Sequence, residues 1–343
     1  MQKIGGARKG TLTFMNLSIT GISLLSALVI SFLAWETHSE PSFPASLANL
    51  LVSSQRQNYT AVRGTKISLI KPEGFTEAEN FPGFQQTDTG ASIVITEMPA
   101  PYSQIASTFT TENLKDRGMT LLGKQNVTID DYKGQLLQVT QVAHFTTFIK
   151  WIAVFGDATA TVILVASLPQ EMEDTLSEPL RNSLLSAKWQ KNKVLDPFAF
   201  LNFAIDTTPN LKFTQRVQNM LLYTKSGVIP TKSPEEPLFV VGPALSNLEV
   251  INQKQFSEKR IAQTEQVKNL SIDTSNEINI DGLSGYEIVA RALDVETNTP
   301  LVIYQVILFK GKNYYIMQGI VGSKLKTEYV DDFQKMARSF RIK

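Results

Sequence analysis

Hydrophobic positions along the chain concentrate in two stretches of the same form, Phe148 to Leu168 and Val302 to Val321. In the first, Trp151-Ile152-Ala153-Val154-Phe155 is followed by Gly156-Asp157 and then by Ala158 to Leu168. In the second, Val302 to Phe309 is followed by Lys310-Gly311-Lys312-Asn313 and then by Tyr314 to Val321. Runs of this length, rich in Val, Ile, Phe and Tyr and joined by Gly beside a polar residue, predict β-hairpins at the centre of a sheet. A hairpin met twice predicts a duplicated unit.

The flanking pattern supports the duplication. In the first half, Ile67 to Ile70, Gly83 to Thr87, Ser92 to Met98 and Asn126 to Asp130 read as strands, and Gln135 to Phe145 as a longer one. Ser103 to Arg117 reads as a helix with Ile105, Ala106, Phe109 and Leu114 on one face and Gly118 as its stop. After Pro169, Glu171, Glu173 and Asp174 suit a helix N-terminus, and Met172, Leu176, Leu180 and Leu184 form its buried stripe. The second half repeats the order. Leu211 to Arg216, Met220 to Thr224 and Pro237 to Val241 are strands, Ser257 to Val267 a helix, Ser271 to Asp281 and Tyr286 to Val295 strands. A closing helix carries Leu325, Tyr329, Phe333, Met336 and Phe340. Equivalent positions are Ile129-Asp130 with Gly134 and Ile280-Asp281 with Gly285, and Ser186-Ala187-Lys188 and Ser339-Phe340-Arg341. Phe155 and Ile163 are matched to Phe309 and Met317.

Ahead of both halves, no charge occurs between Lys9 and Glu36, and Ile19 to Trp35 is dense in apolar residues. About 20 such residues span a bilayer core as a helix. With Lys3, Arg8 and Lys9 before the stretch and acidic residues after it, the positive-inside rule places the N-terminus in the cytoplasm and the body on the other side, with Trp35 at the interface. A signal peptide cleaved after Ser39 competes with this reading; the length of the apolar stretch favours an uncleaved anchor, and both export the rest. The organisation is therefore a basic flank over 1–11, a transmembrane signal-anchor over 12–35 and a linker over 36–62. A first domain covers 63–190, a second linker 191–202 and a second domain 203–343.

Composition narrows the functional classes. Thirty-three basic against 32 acidic residues supply no electrostatic reason for nucleic-acid binding. The absence of cysteine removes disulfides, thiolate metal sites and thiol nucleophiles, and two histidines leave little material for a His-centred site. No Gly-x-Ser-x-Gly elbow or phosphate loop is present: Leu283-Ser284-Gly285 lacks the second glycine, and in Gly5 to Thr11 the lysine precedes the last glycine with no strand before it. Asp130, Asp131 and Asp157 would make an oxygen-ligand cluster if they met, although aspartates at turns have an ordinary structural use. Asn58, Asn126 and Asn269 open glycosylation sequons.

Each half resembles the PsbP/DcrB-like family, through Ile67-Ser68-Leu69-Ile70-x-Pro72-x-Gly74-Phe75, the Ile129-Asp130-x-x-x-Gly134 turn, and Lys150-Trp151-x-x-x-Phe155-Gly156 running into the Leu180 to Trp189 helix. The resemblance implies an α+β fold: two tandem domains, each an antiparallel sheet flanked by helices, after one transmembrane helix. It also implies a binding or assembly role outside the cytoplasm. The chain lacks the lipidated cysteine of the family's lipoproteins. The resulting expectation is a non-enzymatic, membrane-anchored protein that needs no cofactor or metal and binds a protein partner in an envelope or membrane complex. The alternative is a carrier of a small apolar ligand, lipid or pigment, in a pocket between sheet and helix. Trp151, Tyr304, Tyr314 and Tyr315 are the candidate binding residues, since they place aromatic rings on the central strands. Tyr314 and Ile316 are expected on one face, Tyr315 and Met317 on the other.

Overall fold

The computed structural model describes residues 58–143, 146–244 and 250–343. The predicted anchor and its flanks Lys3, Arg8, Lys9 and Trp35 lie outside the described residues. Among the described residues, no helix is long and apolar enough to cross a membrane.

The first module runs β1 (Tyr59–Ala61), β2 (Ile67–Ile70), β3 (Thr76–Glu77), β4 (Gly83–Gln86), β5 (Ala91–Met98), α1 (Tyr102–Ala106), α2 (Thr111–Asp116), β6 (Met119–Ile129), β7 (Tyr132–Ala143), β8 (Thr146–Gly156), β9 (Thr161–Pro169), α3 (Glu173–Leu185) and β10 (Lys188–Trp189). The second runs β11 (Phe203–Ala204), β12 (Lys212–Val217), β13 (Met220–Thr224), β14 (Leu238–Pro243), α4 (Gln253–Ala262), β15 (Val267–Ile280), β16 (Leu283–Asp294), β17 (Pro300–Lys310), β18 (Asn313–Gly322), α5 (Lys326–Arg338) and β19 (Arg341–Ile342). Each module holds a seven-stranded sheet, ordered β3-β4-β5-β9-β8-β7-β6 in one and β12-β13-β14-β18-β17-β16-β15 in the other. All pairings are antiparallel. The fold is thus mostly sheet rather than a balance of helix and sheet, which corrects the α+β expectation.

The two predicted central hairpins are β8–β9 and β17–β18. Their strands are apolar at nearly every position because both faces are covered. One face of the first sheet packs Ala153, Phe155, Leu164 and Ala166 under Leu180 and Leu184 of α3. The corresponding face of the second packs Val306, Leu308, Tyr315 and Met317 under Tyr329, Phe333 and Met336 of α5. The remaining faces meet each other. Val94, Leu137, Val139, Ile152, Val154, Ile163 and Val165 join Leu222, Val240, Ile307, Phe309, Tyr314 and Ile316 in one core shared by the modules. Tyr314 and Ile316 do face away from Tyr315 and Met317, as alternation along β18 requires. Hydrogen bonds also cross the seam, among them Gln218 Nε2 to Thr96 Oγ1 (2.8 Å), Asn219 Nδ2 to Asn80 O (2.9 Å) and Asn80 Nδ2 to Asn313 Oδ1 (2.8 Å).

The duplication extends to individual hydrogen bonds. Asp130 and Asp281, both with positive φ at the tip of a hairpin, accept from the backbone N–H of the returning C-terminal strand: Asp130 Oδ2 from Trp189 at 2.6 Å, Asp281 Oδ2 from Ile342 at 2.7 Å. Ser186 Oγ accepts from Ile70 N at 2.9 Å, and Ser339 Oγ from Asp206 N at 2.8 Å. Gly134 and Gly285 lie so close to the neighbouring strand that a Cβ would fall 2.7 Å from Val154 O and 1.9 Å from Ile307 O.

Local departures from expectation have local causes. The helix expected over Ser103 to Arg117 is two short ones, because Thr110 takes an extended backbone and its Oγ1 caps the second by accepting from Asn113 N at 3.2 Å. In the second module the helix starts at Gln253 rather than Ser257, where Asn252 Oδ1 accepts from Gln255 N at 3.0 Å. The pairings Gly134 with Phe155 and Gly285 with Leu308 make Leu308, not Phe309, the counterpart of Phe155. On the same register Ile316, not Met317, answers to Ile163.

Removing a charged acceptor from a returning strand should be felt in stability. Asp130→Ala, at a half-buried site, is expected to cost about 1–3 kcal/mol in urea unfolding, and Asp281→Ala, at an exposed one, less.

Candidate functional site

A cleft opens where the first module, the second module and the segment joining them meet. Its volume is about 430 Å³, within the roughly 300–1,000 Å³ of ordinary ligand pockets. The first module supplies Lys66 just ahead of β2, Ile95, Glu97 and Met98 from β5, and Trp189 of β10; the second supplies Phe213, Gln215 and Arg216 of β12. Lys191, Asn192, Leu195, Asp196 and Pro197 of the connecting segment form part of the wall.

The polar groups of this cleft are positioned by backbone and by one another. Trp189 is seated by ring contacts with Tyr132 (4.9 Å) and Phe155 (6.2 Å), and its Nε1 donates to Glu97 Oε1 at 3.0 Å. Glu97 Oε2 accepts from Lys66 N at 2.9 Å. Lys191 pairs with Asp157, donates to Thr159 Oγ1 at 2.7 Å and lies 5.5 Å from the Trp189 ring centre. Arg216 donates from Nε to Gln218 O, from Nη1 to Ala199 O (3.0 Å) and from Nη2 to Asn219 Oδ1 (2.8 Å). Its guanidinium lies against Gly64, whose φ is +73° and where a Cβ would sit 2.5 Å from Nη2, so this approach needs glycine. Burial and the nearby Arg63 push Arg216 down to about 10, so it remains a cation at neutral pH.

Beside the cleft the connecting segment exposes aromatic surface. Phe198 packs its ring at a tilt against Phe213, with centroids 4.8 Å apart, and remains 42% exposed, and Phe200 is 55% exposed with a φ of +66°. A left-handed backbone at a bulky residue is uncommon and marks strain held by its surroundings.

The four aromatic residues singled out in the sequence are not brought together. Trp151 and Tyr304 occupy equivalent positions in the two modules. Trp151 lies half-buried under α3, with Nε1 donating to Ser177 Oγ at 2.9 Å and the Arg181 guanidinium 5.8 Å from its ring centre. Tyr304 is fully buried and donates to Glu287 Oε1 at 2.8 Å. Tyr315 packs on Phe203 and Phe340 in the outer core of the second module, while Tyr314 faces the seam. Of the aspartates weighed as metal ligands, Asp130 holds the Trp189 N–H and Asp157 holds Lys191. No group of three potential ligands gathers among the described residues. Sequence reasoning missed Lys66, Glu97, Trp189 and Arg216 as site residues. They come from distant parts of the chain, and the one local signal was a pair of phenylalanines in a polar linker.

No protein-family model matches the chain, and no curated protein does. Among solved structures it is similar to cyanobacterial PsbP (CyanoP) from Synechocystis sp. PCC 6803, at 10% identity over 41% of this chain and 98% of that one, with a TM-score of 0.29. It is also similar to the immunity protein TplEi of T6SS from Pseudomonas aeruginosa, at 11% identity over 83% and 96% with a TM-score of 0.30. A chain of the Tle4–Tli4 complex matches at 11% identity over 79% and 98%, with a TM-score of 0.28. These likenesses are weak.

Lys191 and the Thr159 N–H and hydroxyl hold the Asp157 carboxyl well below the usual carboxylate range. A carboxyl lowered on folding stabilises the fold above its unfolded pKa, about 3.9, and loses that contribution as pH falls. Asp157→Asn keeps the turn but not the ion pair. Wild type should therefore be the more stable near neutrality, with the difference shrinking in urea titrations as pH is lowered below about 4.

Proposed function

We propose that this chain is a non-enzymatic, membrane-anchored binding or assembly protein whose body lies outside the cytoplasm as two tandem PsbP/DcrB-like modules. The protein partner docks at the cleft between them. The observation that carries this reading is the cleft: two sheets of the same topology share a core, and at its margin the linker adds exposed Phe198 and Phe200 to a recess holding Trp189 and Arg216. Exposed aromatics beside a buried anchor point are the composition of a binding surface. The polar groups of the cleft suit recognition. Thr65 donates its hydroxyl to Val62 O at 2.9 Å, and Glu97 is held by two N–H donors, so neither is set up as a nucleophile with a base. The location rests on the uncharged stretch before Glu36 and its basic flank.

A carrier of a small apolar ligand is the other reading from the sequence. The tyrosines it would use, Tyr304, Tyr314 and Tyr315, are taken up in core packing, and no observation at the sheet–helix interfaces favours it.

Two measurements test the proposal. A photo-crosslinking residue at position 198 or 200 of the full chain in its native membrane should give discrete adducts that are missing from the same probe at Val295, an exposed position away from the cleft. Equal adducts from all three positions would contradict it. The full chain should stay with membranes after an alkaline wash, and a chain lacking residues 2–36 should be released.

A further inference from the structure

We propose that the cleft recognises a carboxylate, carried by an acidic side chain in an apolar segment of the protein partner, and that Arg216 is the residue that binds it. This rests on the cleft being the partner-binding site.

Two cations line the cleft without an ion-pair partner among the described residues. Lys66 Nζ donates to a backbone carbonyl, Lys191 O, at 2.9 Å. Arg216 donates to two backbone carbonyls and one amide oxygen, all neutral. A guanidinium has five N–H donors, so three bonds leave it able to grip an incoming anion. The nearby acids are committed elsewhere: Glu97 accepts from Trp189 Nε1 and Lys66 N, and Asp196 from Phe198 N at 2.9 Å. Both favour the charged form of Arg216 from a distance without pairing with it. Gln215 Nε2, on the same strand and lining the same cleft, is a buried donor with no acceptor among the described residues. A desolvated cation beside an unspent donor is stabilised most by a planar anion that can take two N–H groups at once, and a carboxylate has that shape. Among the other lining residues, Ile95, Met98, Trp189, Leu195 and Phe213 present apolar surface. It fits apolar neighbours of the acidic residue and leaves a bare inorganic anion poorly matched to the walls.

The test uses an isosteric pair of probes, N-acetyl-Phe-Glu-amide and N-acetyl-Phe-Gln-amide, titrated into the full chain in mild detergent. The readout is the Trp189 indole N–H resonance, assigned with Trp189→Phe. The glutamate peptide should bind about tenfold or more tighter than the glutamine peptide, as a charge-assisted hydrogen bond predicts, and Arg216→Gln should abolish the difference. Should that variant fold poorly, Arg216→Lys decides in its place, since it keeps the charge without the two-pronged N–H geometry and should cut the preference severalfold. Equal binding of the two peptides by the wild type, no binding of either at millimolar concentration, or a preference that survives Arg216→Gln or Arg216→Lys undiminished would overturn the proposal. Adducts from positions 198 and 200 are read in a chain that keeps Arg216, and they require no carboxylate on the partner. A captured partner with no peptide preference therefore refutes the carboxylate while leaving the docking site in place.

Discussion

The structure depends on the apolar contact between the two sheets. Each module has a terminal helix for only one face of its sheet. The other face of β8–β9 or β17–β18 is as apolar as the first, and it is removed from water by the opposite module with help from α1, α2 and α4. Burying a Val, Ile or Leu contributes about 1.5–3 kcal/mol, and several from each sheet enter the shared core. A seam of this kind joins the modules into one body, unlike the small polar interfaces between domains that move freely.

From that constraint the cleft follows. When two sheets pack face to face, their margins diverge and the connecting segment runs along one of them. Here the segment after Trp189 borders the recess, tied at one end by the Lys191–Asp157 pair and at the other by Arg216 reaching Ala199 O. The recess thus needs both modules: neither has both Trp189 and Arg216, and the two line one cleft only because the sheets share a core. The repeated clamps at Asp130 and Asp281, and at Ser186 and Ser339, keep each returning strand in place. In the first module this clamp also fixes the backbone of Trp189 at the cleft.

Much of the fold was legible in the sequence, and the parts that were not have physical explanations. The hairpins stood out because strands covered on both faces are apolar at nearly every position. The same property hid their register. With no alternation of polar and apolar residues, nothing in Phe155 and Phe309 marks the one-residue offset that puts the first under α3 and the second in the seam. The region 103–117 has helical spacing throughout, but Thr110 stops one helix and caps the next. The cleft was illegible for a different reason. Lys66, Glu97, Trp189 and Arg216 form no motif, and their proximity is decided by tertiary packing. The tyrosines drew attention as large rings on central strands, which is also what a filled core requires.

The central claim is that the two modules are one cooperative unit through their common core. It is tested most directly by native-state hydrogen exchange in a chain carrying Ile316→Ala, a truncation in the second module whose side chain faces the seam. The account predicts faster exchange at the amides of β8 and β9 in the first module as well as at those of β17 and β18. Loss of protection confined to the second module, with β8 and β9 unchanged, would contradict it.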